Sequence, residues 1–223
     1  MFSPDDTIVA IATPPGRGGL GVVRVSGSRV LEIANRLLDC RRLEPRYATL
    51  TAVRSTSDER SRPVDEVVAT LFSAPRSYTG EDVLEISAHG SPVVLDAIVR
   101  AAVDAGARLA RPGEFTFRAF LNGKINLVQA EAVADLIAAA TPLQVRLAYE
   151  QLDGSLTTWM RAVDEELLDL IARLEASLDF PDEGYHFVET REVGERLTRV
   201  IEKLEAMIAA ARHGRIIREG ATV

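Results

Sequence analysis

The 223-residue chain is 47% hydrophobic and 26% charged, the make-up of a globular protein with a real core, large enough for one sizeable domain or two small ones. Its formal net charge of −7 argues against a strong, sequence-independent grip on nucleic acid by this segment alone, since such binding needs clustered Lys and Arg to displace counterions. A single cysteine, Cys40, excludes an intrachain disulfide and a multi-thiolate zinc site and fits a reducing compartment. Met1 to Ala10 lacks the basic and long apolar regions of a signal peptide, and no apolar run reaches membrane-spanning length. The expectation is a soluble cytoplasmic protein with no membrane partner.

In chain order, the first half alternates strand and helix patterns. Thr7–Ala12 is a short apolar strand, and Leu20–Ser26 is a second one after a Pro/Gly turn. Arg29–Leu38 has helical spacing through Val30, Ile33, Ala34, Leu37 and Leu38, with Cys40 at its end as a structural thiol. Tyr47–Val53 and Val64–Phe72 are β-branched and strand-like, separated by a polar surface loop over Arg54–Pro63. Asp82–Ala88 alternates as a strand, Val93–Ala105 is a helix closed by Gly106, and Leu109–Arg111 forms a last short strand.

The second half is almost wholly helical. Asn126 and Gln129 fit a capping box that opens a helix running to Ala140; Thr141, Pro142 and Gln144 repeat the signal with proline at the first helical position. Leu156, Trp159, Met160, Val163, Leu167, Leu170, Ile171, Leu174 and Leu178 form a stripe of about six turns. Phe180–Gly184 breaks it. A last helix starts at Thr190, turns Val193, Leu197, Val200, Ile201, Leu204, Ile208 and Ala211 inward, and ends at Gly214. Long one-sided helices bury their stripes in a bundle, and these call for a partner helix from elsewhere. Apolar surface is expected to stay exposed on so incomplete a bundle.

The chemistry-bearing signals are individually modest. Gly16-Arg17-Gly18-Gly19-Leu20-Gly21 matches the dinucleotide glycine pattern, but it leads into the strand Val22–Val25 instead of opening a helix, so it reads as a glycine turn. A Walker A loop and a nucleophile elbow are both absent from the sequence. Arg24 shares a strand face with Val22 and Ser26, away from Val23 and Val25. Glu85 shares one with Val83 and Ser87, away from Leu84, Ile86 and Ala88. Both charges therefore point off the core, into solvent or a cleft. Lys124 follows the Asn122-Gly123 turn beside a helix N-terminus, in a position to meet a carboxylate or phosphate or simply to be solvated. His89, His186 and His213 are isolated, and the acidic turn Asp179–Glu183 reads as a solvated helix break. No residue is assigned a catalytic or metal-binding role.

The order of the blocks is more telling. Thr7-Ile8-Val9-Ala10, then Thr13–Gly19, then Val23-Arg24-Val25-Ser26-Gly27 closely resembles the amino terminus of the MnmE (TrmE) family of tRNA-modification GTPases. Ser77–Glu85 with His89-Gly90, Ala110–Lys124, Asp179–Glu183 and Ile217–Gly220 extend that resemblance over the whole chain. The resemblance implies an α+β fold: a mixed-sheet folate-binding and dimerisation domain similar to that of aminomethyltransferases over residues 1–120, then the first part of a helical domain over 121–223. It implies a homodimer that binds a tetrahydrofolate derivative, 5-formyl- or 5,10-methylene-tetrahydrofolate, as one-carbon donor. It also implies a longer parent that modifies the wobble uridine of certain tRNAs at carbon 5 with the flavoprotein MnmG (GidA). GTP, potassium and magnesium would be bound by a GTPase domain beyond this stretch, so the stretch alone is not expected to hydrolyse GTP.

Positions matching Arg24, Glu85 and Lys124 are folate contacts in that family. The chemistry agrees: a pterin presents a ring N–H and an amine side by side to a carboxylate such as Glu85, while Arg24 and Lys124 suit carbonyl or glutamyl carboxylate groups. The sequence departs from the family at Ser91, where a second glycine is common after Gly90. Two rival readings are a stand-alone aminomethyltransferase-like enzyme, disfavoured by the helical second half, and a structural dimer scaffold, disfavoured by the intact Arg24, Glu85 and Lys124.

Overall fold

The computed structural model describes residues 6–40, 42–54, 63–179 and 189–219, with side chains to residue 209 in the last stretch. The chain divides into two compact units, Met1–Asn126 and Leu127–Val223. The fold is α+β, a mixed sheet with helices in the first unit and helices alone in the second.

The first unit is built on six strands: β1 (Ile8–Ile11), β2 (Gly18–Ser26), β3 (Thr49–Val53), β4 (Asp65–Phe72), β5 (Val83–Gly90) and β6 (Arg108–Leu109). They lie in the order β3-β4-β5-β2-β1-β6. All neighbours are antiparallel except β1 and β6. Helices α1 (Val30–Leu37) and α2 (Pro92–Asp104) cover one face. The alternation of apolar residues dictates which face. Val23 and Val25 of β2, Leu84, Ile86 and Ala88 of β5, and Val67, Ala69 and Leu71 of β4 are all buried with Val30, Ile33, Ala34 and Leu37 of α1 and Leu95 and Ile98 of α2. Cys40 is free and packs against this core.

Two glycines in the middle of the sheet have steric reasons. A Cβ on Gly21 would stand 2.5 Å from Leu95 Cδ1, so glycine lets α2 approach β2. A Cβ on Gly90 would stand 2.6 Å from the Gly18 carbonyl oxygen. The glycine pattern from Gly16 thus feeds a strand, with an irregular register between Gly18 and Gly21, and serves sheet packing. Ser91, at the departure from the family pattern, has φ −88° and ψ 125°, an extended conformation open to any residue.

Sequence boundaries differ from the structure at several points. The strand expected from Tyr47 begins at Thr49, and the one expected over Leu109–Arg111 lies at Arg108–Leu109. A helix with no periodic signature, α3 (Glu114–Leu121), follows a left-handed Gly113 at φ 74°. Its three phenylalanines and a threonine are weak helix formers, and polar ties described below hold it in place.

The second unit contains α4 (Leu127–Ala138), α5 (Pro142–Leu152), α6 (Ser155–Asp179) and α7 (Thr190–Glu219). The Thr141 capping box forms on both sides: Thr141 Oγ1 accepts from the Gln144 N–H at 3.3 Å, and Gln144 Oε1 accepts from the Thr141 N–H at 3.1 Å. Across α6 and α7, Arg196 pairs with Asp169 at 2.7 Å and Lys203 with Glu166 at 3.1 Å, so the two helices run in opposite senses. Ala132, Ala148, Val163, Leu170 and Val200 are buried, but Ile171, Leu174, Leu178, Leu197, Ile201 and Ile208 are exposed. The helix expected to stop at Gly214 continues to Glu219. One interior glycine costs a helix only about 1 kcal/mol, too little to end one of this length. Phe180–Gly184, the rest of the acidic turn after Asp179, and residues 55–62 of the expected loop lie outside the described residues. Among the described residues, no helix is long and apolar enough to cross a membrane.

Gly90→Ala is expected to destabilise the first unit by about 1–3 kcal/mol, the scale of overpacking against groups that cannot yield. Urea denaturation of this variant beside the parent measures it, and an unchanged midpoint would contradict the close approach of Gly18.

Candidate ligand-binding face

The sheet face opposite α1 and α2 carries the charges. Arg24 of β2 and Glu85 of β5 are direct cross-strand partners in the register. Arg24 donates from Nε at 2.9 Å and from Nη2 at 2.7 Å, both to Glu85 Oε1. Oε1 is thereby filled, while no contact to Oε2 is seen among the described residues. The Arg24 guanidinium also lies 5.0 Å from the centre of the Tyr78 ring and 5.6 Å from that of Phe115, within cation–π reach of both. Side-chain exposures of 24% for Arg24 and 30% for Glu85 mark a half-open pair that a ligand can reach.

One end of this face is closed by the loop before β5 and by α3. Ser26, two residues along β2 from Arg24, is fully buried; it shares a 2.7 Å hydrogen bond with Thr79 Oγ1 and donates to Glu81 Oε2 at 2.7 Å. Tyr78 Oη and Thr116 Oγ1 share another at 2.8 Å, linking loop to helix. Asn122 Nδ2 donates to the Thr79 carbonyl at 2.7 Å. Lys124 follows on, exposed, its stem laid along Gly80: a Cβ there would meet Lys124 Cγ at 3.1 Å. So the structure joins Arg24 and Glu85 directly, and lays the stem of Lys124, which follows α3, against the loop that carries Tyr78.

Beneath that loop lies a charge cluster that sequence reading missed. Arg118 of α3 is 1% exposed. Its guanidinium meets the Asp6 carboxylate, donates to the Asp6 carbonyl at 2.7 Å, and pairs with Glu81 at 3.1 Å and Glu114 at 3.3 Å. Arg108 pairs with Asp6 and with Glu114, each at 2.7 Å. The Arg108 guanidinium, assisted by Arg118 and opposed by burial, holds the Asp6 carboxyl below the usual carboxylate range. Burial pushes Glu114 up, but Arg108 and the Arg111 N–H outweigh it, and its pKa is also lowered. Arg108 is raised by Glu114 first and Asp6 second. The only sequence-level hint was a block in which Glu114 and Arg118 stand one helical turn apart.

These features define a class: an α+β module whose open sheet face presents a half-exposed Arg–Glu pair flanked by two aromatic rings, joined to a helical unit. Comparison with known proteins makes the class specific. Residues 7–124 match the family model described as the GTP-binding protein TrmE N-terminus, and residues 127–222 match that of the MnmE helical domain. Proteins named tRNA modification GTPase MnmE are similar throughout: that of Legionella pneumophila (strain Paris) is 47% identical over 96% of this chain and 48% of its own length. That of Nitrosospira multiformis is 48% identical over 96% of this chain and 47% of its own length, and that of Methylococcus capsulatus 44% identical over 100% and 49%. The chain belongs to the MnmE (TrmE) family, and it spans about half the length of the curated relatives it matches.

Because the folded-state pKa values of Asp6 and Glu114 are depressed, their contribution to stability is present above the ordinary carboxylate range and lost as pH falls through the folded values. Arg118→Leu removes the shared cation and is expected to cost about 3–5 kcal/mol at neutral pH. That penalty should shrink near pH 3, where the stranded carboxylates can protonate. Urea unfolding of both proteins at the two pH values measures it; a penalty independent of pH would show that Arg118 acts by packing alone.

Proposed function

We propose that this chain is the tetrahydrofolate-binding and dimerising front part of a GTPase that modifies the wobble uridine of tRNA at carbon 5, acting with a flavoprotein partner of the MnmG type. The observation that carries the folate reading is the half-exposed Arg24–Glu85 pair beside the Tyr78 and Phe115 rings on the sheet face opposite α1 and α2. A pterin needs an acceptor for two adjacent N–H groups, and Glu85 offers Oε2 as it stands. Both bonds from Arg24 end on Oε1, so full two-oxygen acceptance by Glu85 requires Arg24 to turn toward the ligand. That turn would free its guanidinium for a ligand carbonyl or carboxylate, the role the family resemblance gives it. Lys124 is then the cation for the glutamyl end of the ligand, steered by its place beside Gly80. The donor set fits the group: one carboxylate, two cations and two flat apolar surfaces.

The family supplies the remainder of the reading. GTP, with potassium and magnesium, would bind in the portion by which the relatives are longer, and tRNA would be a substrate of the complete assembly in the cytoplasm. A chain with net charge −7 is suited to holding a small cofactor and a twin subunit, and unsuited to supplying most of the affinity for a polyanion. The apolar residues left exposed on α6 and α7 are surfaces for the rest of such a parent.

Calorimetric titration of the chain with 5-formyltetrahydrofolate tests the cofactor assignment. Saturable binding is expected, weakened in Glu85→Ala by about 1–3 kcal/mol, roughly fivefold to a hundredfold in Kd. Undiminished affinity in that variant would remove Glu85 from the site.

A further inference from the structure

The guanidinium that fills Glu85 has a chemical likeness to the head group proposed for the site. Its Nε–H and one Nη2–H stand side by side on a planar carbon bonded to three nitrogens. Both are donated to the Glu85 carboxylate, at 2.9 and 2.7 Å. The pterin head of a folate carries the same unit, a ring N–H and an exocyclic amine side by side on a carbon that also bears three nitrogens. Both units are flat, and both suit the aromatic surfaces of Tyr78 and Phe115, whose ring centres lie 5.0 and 5.6 Å from Arg24 Cζ.

The pair and its surroundings differ in how firmly they are held. Tyr78 Oη is tied to Thr116 Oγ1 at 2.8 Å, and the Thr79 carbonyl to Asn122 at 2.7 Å. Neither bond involves Arg24 or Glu85, so these ties hold loop and helix together whichever group lies against the rings. Glu85 is placed by its strand, with Leu84 and Ile86 fully buried on either side of it. Arg24 reaches the carboxylate on a flexible stem of three methylenes, its side chain 24% exposed. A half-exposed ion pair of this kind is a weak tie. Turning the Arg24 side chain vacates the donor position in front of Glu85 and leaves the sheet ladder and the ties around Tyr78 intact.

We propose that Arg24 is the specificity-determining residue of this site, an internal stand-in for the pterin head that makes the site favour a complete folate over a bare pterin. The proposal rests on the folate reading above. Any head group seated on both oxygens of Glu85 displaces the guanidinium. A bare pterin takes Glu85 and leaves Arg24 without its carboxylate. A complete folate brings carbonyl and carboxylate acceptors beyond its head, and the released guanidinium turns to one of them. One acceptor is exchanged for another, so the competition falls on ligands that lack those groups. No covalent bond changes.

The test is calorimetric titration of the parent chain, Arg24→Met and Arg24→Lys with 6-methyltetrahydropterin and with 5-formyltetrahydrofolate. The bare pterin is expected to bind Arg24→Met about two- to fivefold more tightly than the parent, the scale of the half-exposed pair it no longer has to break. 5-Formyltetrahydrofolate is expected to bind that variant about fivefold or more weakly, because a hydrogen bond from a charged group to the ligand is lost. The two ligands thus move in opposite directions, which a loosened fold does not produce. Arg24→Lys keeps the charge on the strand but has no planar pair of donors, and it too should bind the bare pterin more tightly than the parent. Weaker, unchanged or undetectable binding of the bare pterin by the folded variants would overturn the proposal and leave the folate reading intact, and so would tighter binding of both ligands. No saturable binding of 5-formyltetrahydrofolate by a folded parent would overturn the folate reading, and this proposal with it.

Discussion

The pairing of β2 with β5 in the middle of the sheet is the constraint on which the first unit depends. Side chains alternate along each strand, so one register decides both faces at once. With Val23 opposite Ile86 and Val25 opposite Leu84, the helix-covered side receives only apolar groups. The same register sets Arg24 opposite Glu85 on the other side. A slip of one residue would turn one of the two strands over, burying Arg24 or Glu85 under α1 and α2 and exposing that strand's core residues. Burial of the core therefore enforces the geometry of the ion pair more strictly than the pair itself could, since a half-exposed bridge contributes at most about 1 kcal/mol.

The cluster around Arg118 works at a different level. Burying a guanidinium with three carboxylates is expensive, and hydrophobic groups of similar size often stabilise a fold as well or better. What the charges supply is position. Asp6 lies just before β1, Glu81 in the loop before β5, Glu114 and Arg118 on α3, and Arg108 on β6, and each bond has directional demands that an apolar contact lacks. Through Glu81 and Ser26 the cluster reaches the strand that carries Arg24; through α3 it reaches Phe115, and through the loop Tyr78. The two rings face the same guanidinium because one buried cation ties down both segments that bear them.

Where a signal is local and periodic, the sequence shows it. The five positions that mark the first helix by their spacing, Val30, Ile33, Ala34, Leu37 and Leu38, are all buried, and the Thr141 capping box forms with the partners its spacing implies. The alternation in β2 and β5 correctly sends Arg24 and Glu85 off the core. What stays hidden depends on contacts between distant residues. Asp6 and Arg118 are separated by 112 positions, and Arg24 and Glu85 by 61. Nothing in their spacing says that they meet. α3 is invisible for the same reason, because tertiary ties and not propensity make it helical. His89, solitary along the chain, meets the Asp65 carboxylate at 2.8 Å only where β4 leaves β5. Gly214 misleads in the opposite direction: glycine ends a helix when the chain must turn left-handed there, and in α7 it does not turn.

The two units also differ in how their apolar residues are used, and the difference follows from periodicity. A sheet with one covered face can bury every second residue against two helices, and the first unit does so. A helix needs neighbours around about 100° or more of its circumference. On α6, Val163 and Leu170 are buried, while Ile171, Leu174 and Leu178 continue the stripe in the open. The ion pairs from Arg196 and Lys203 to Asp169 and Glu166 lie between α6 and α7 and cover none of that stripe. The stripe is left as an exposed apolar surface, in a family whose curated members are about twice as long as this chain.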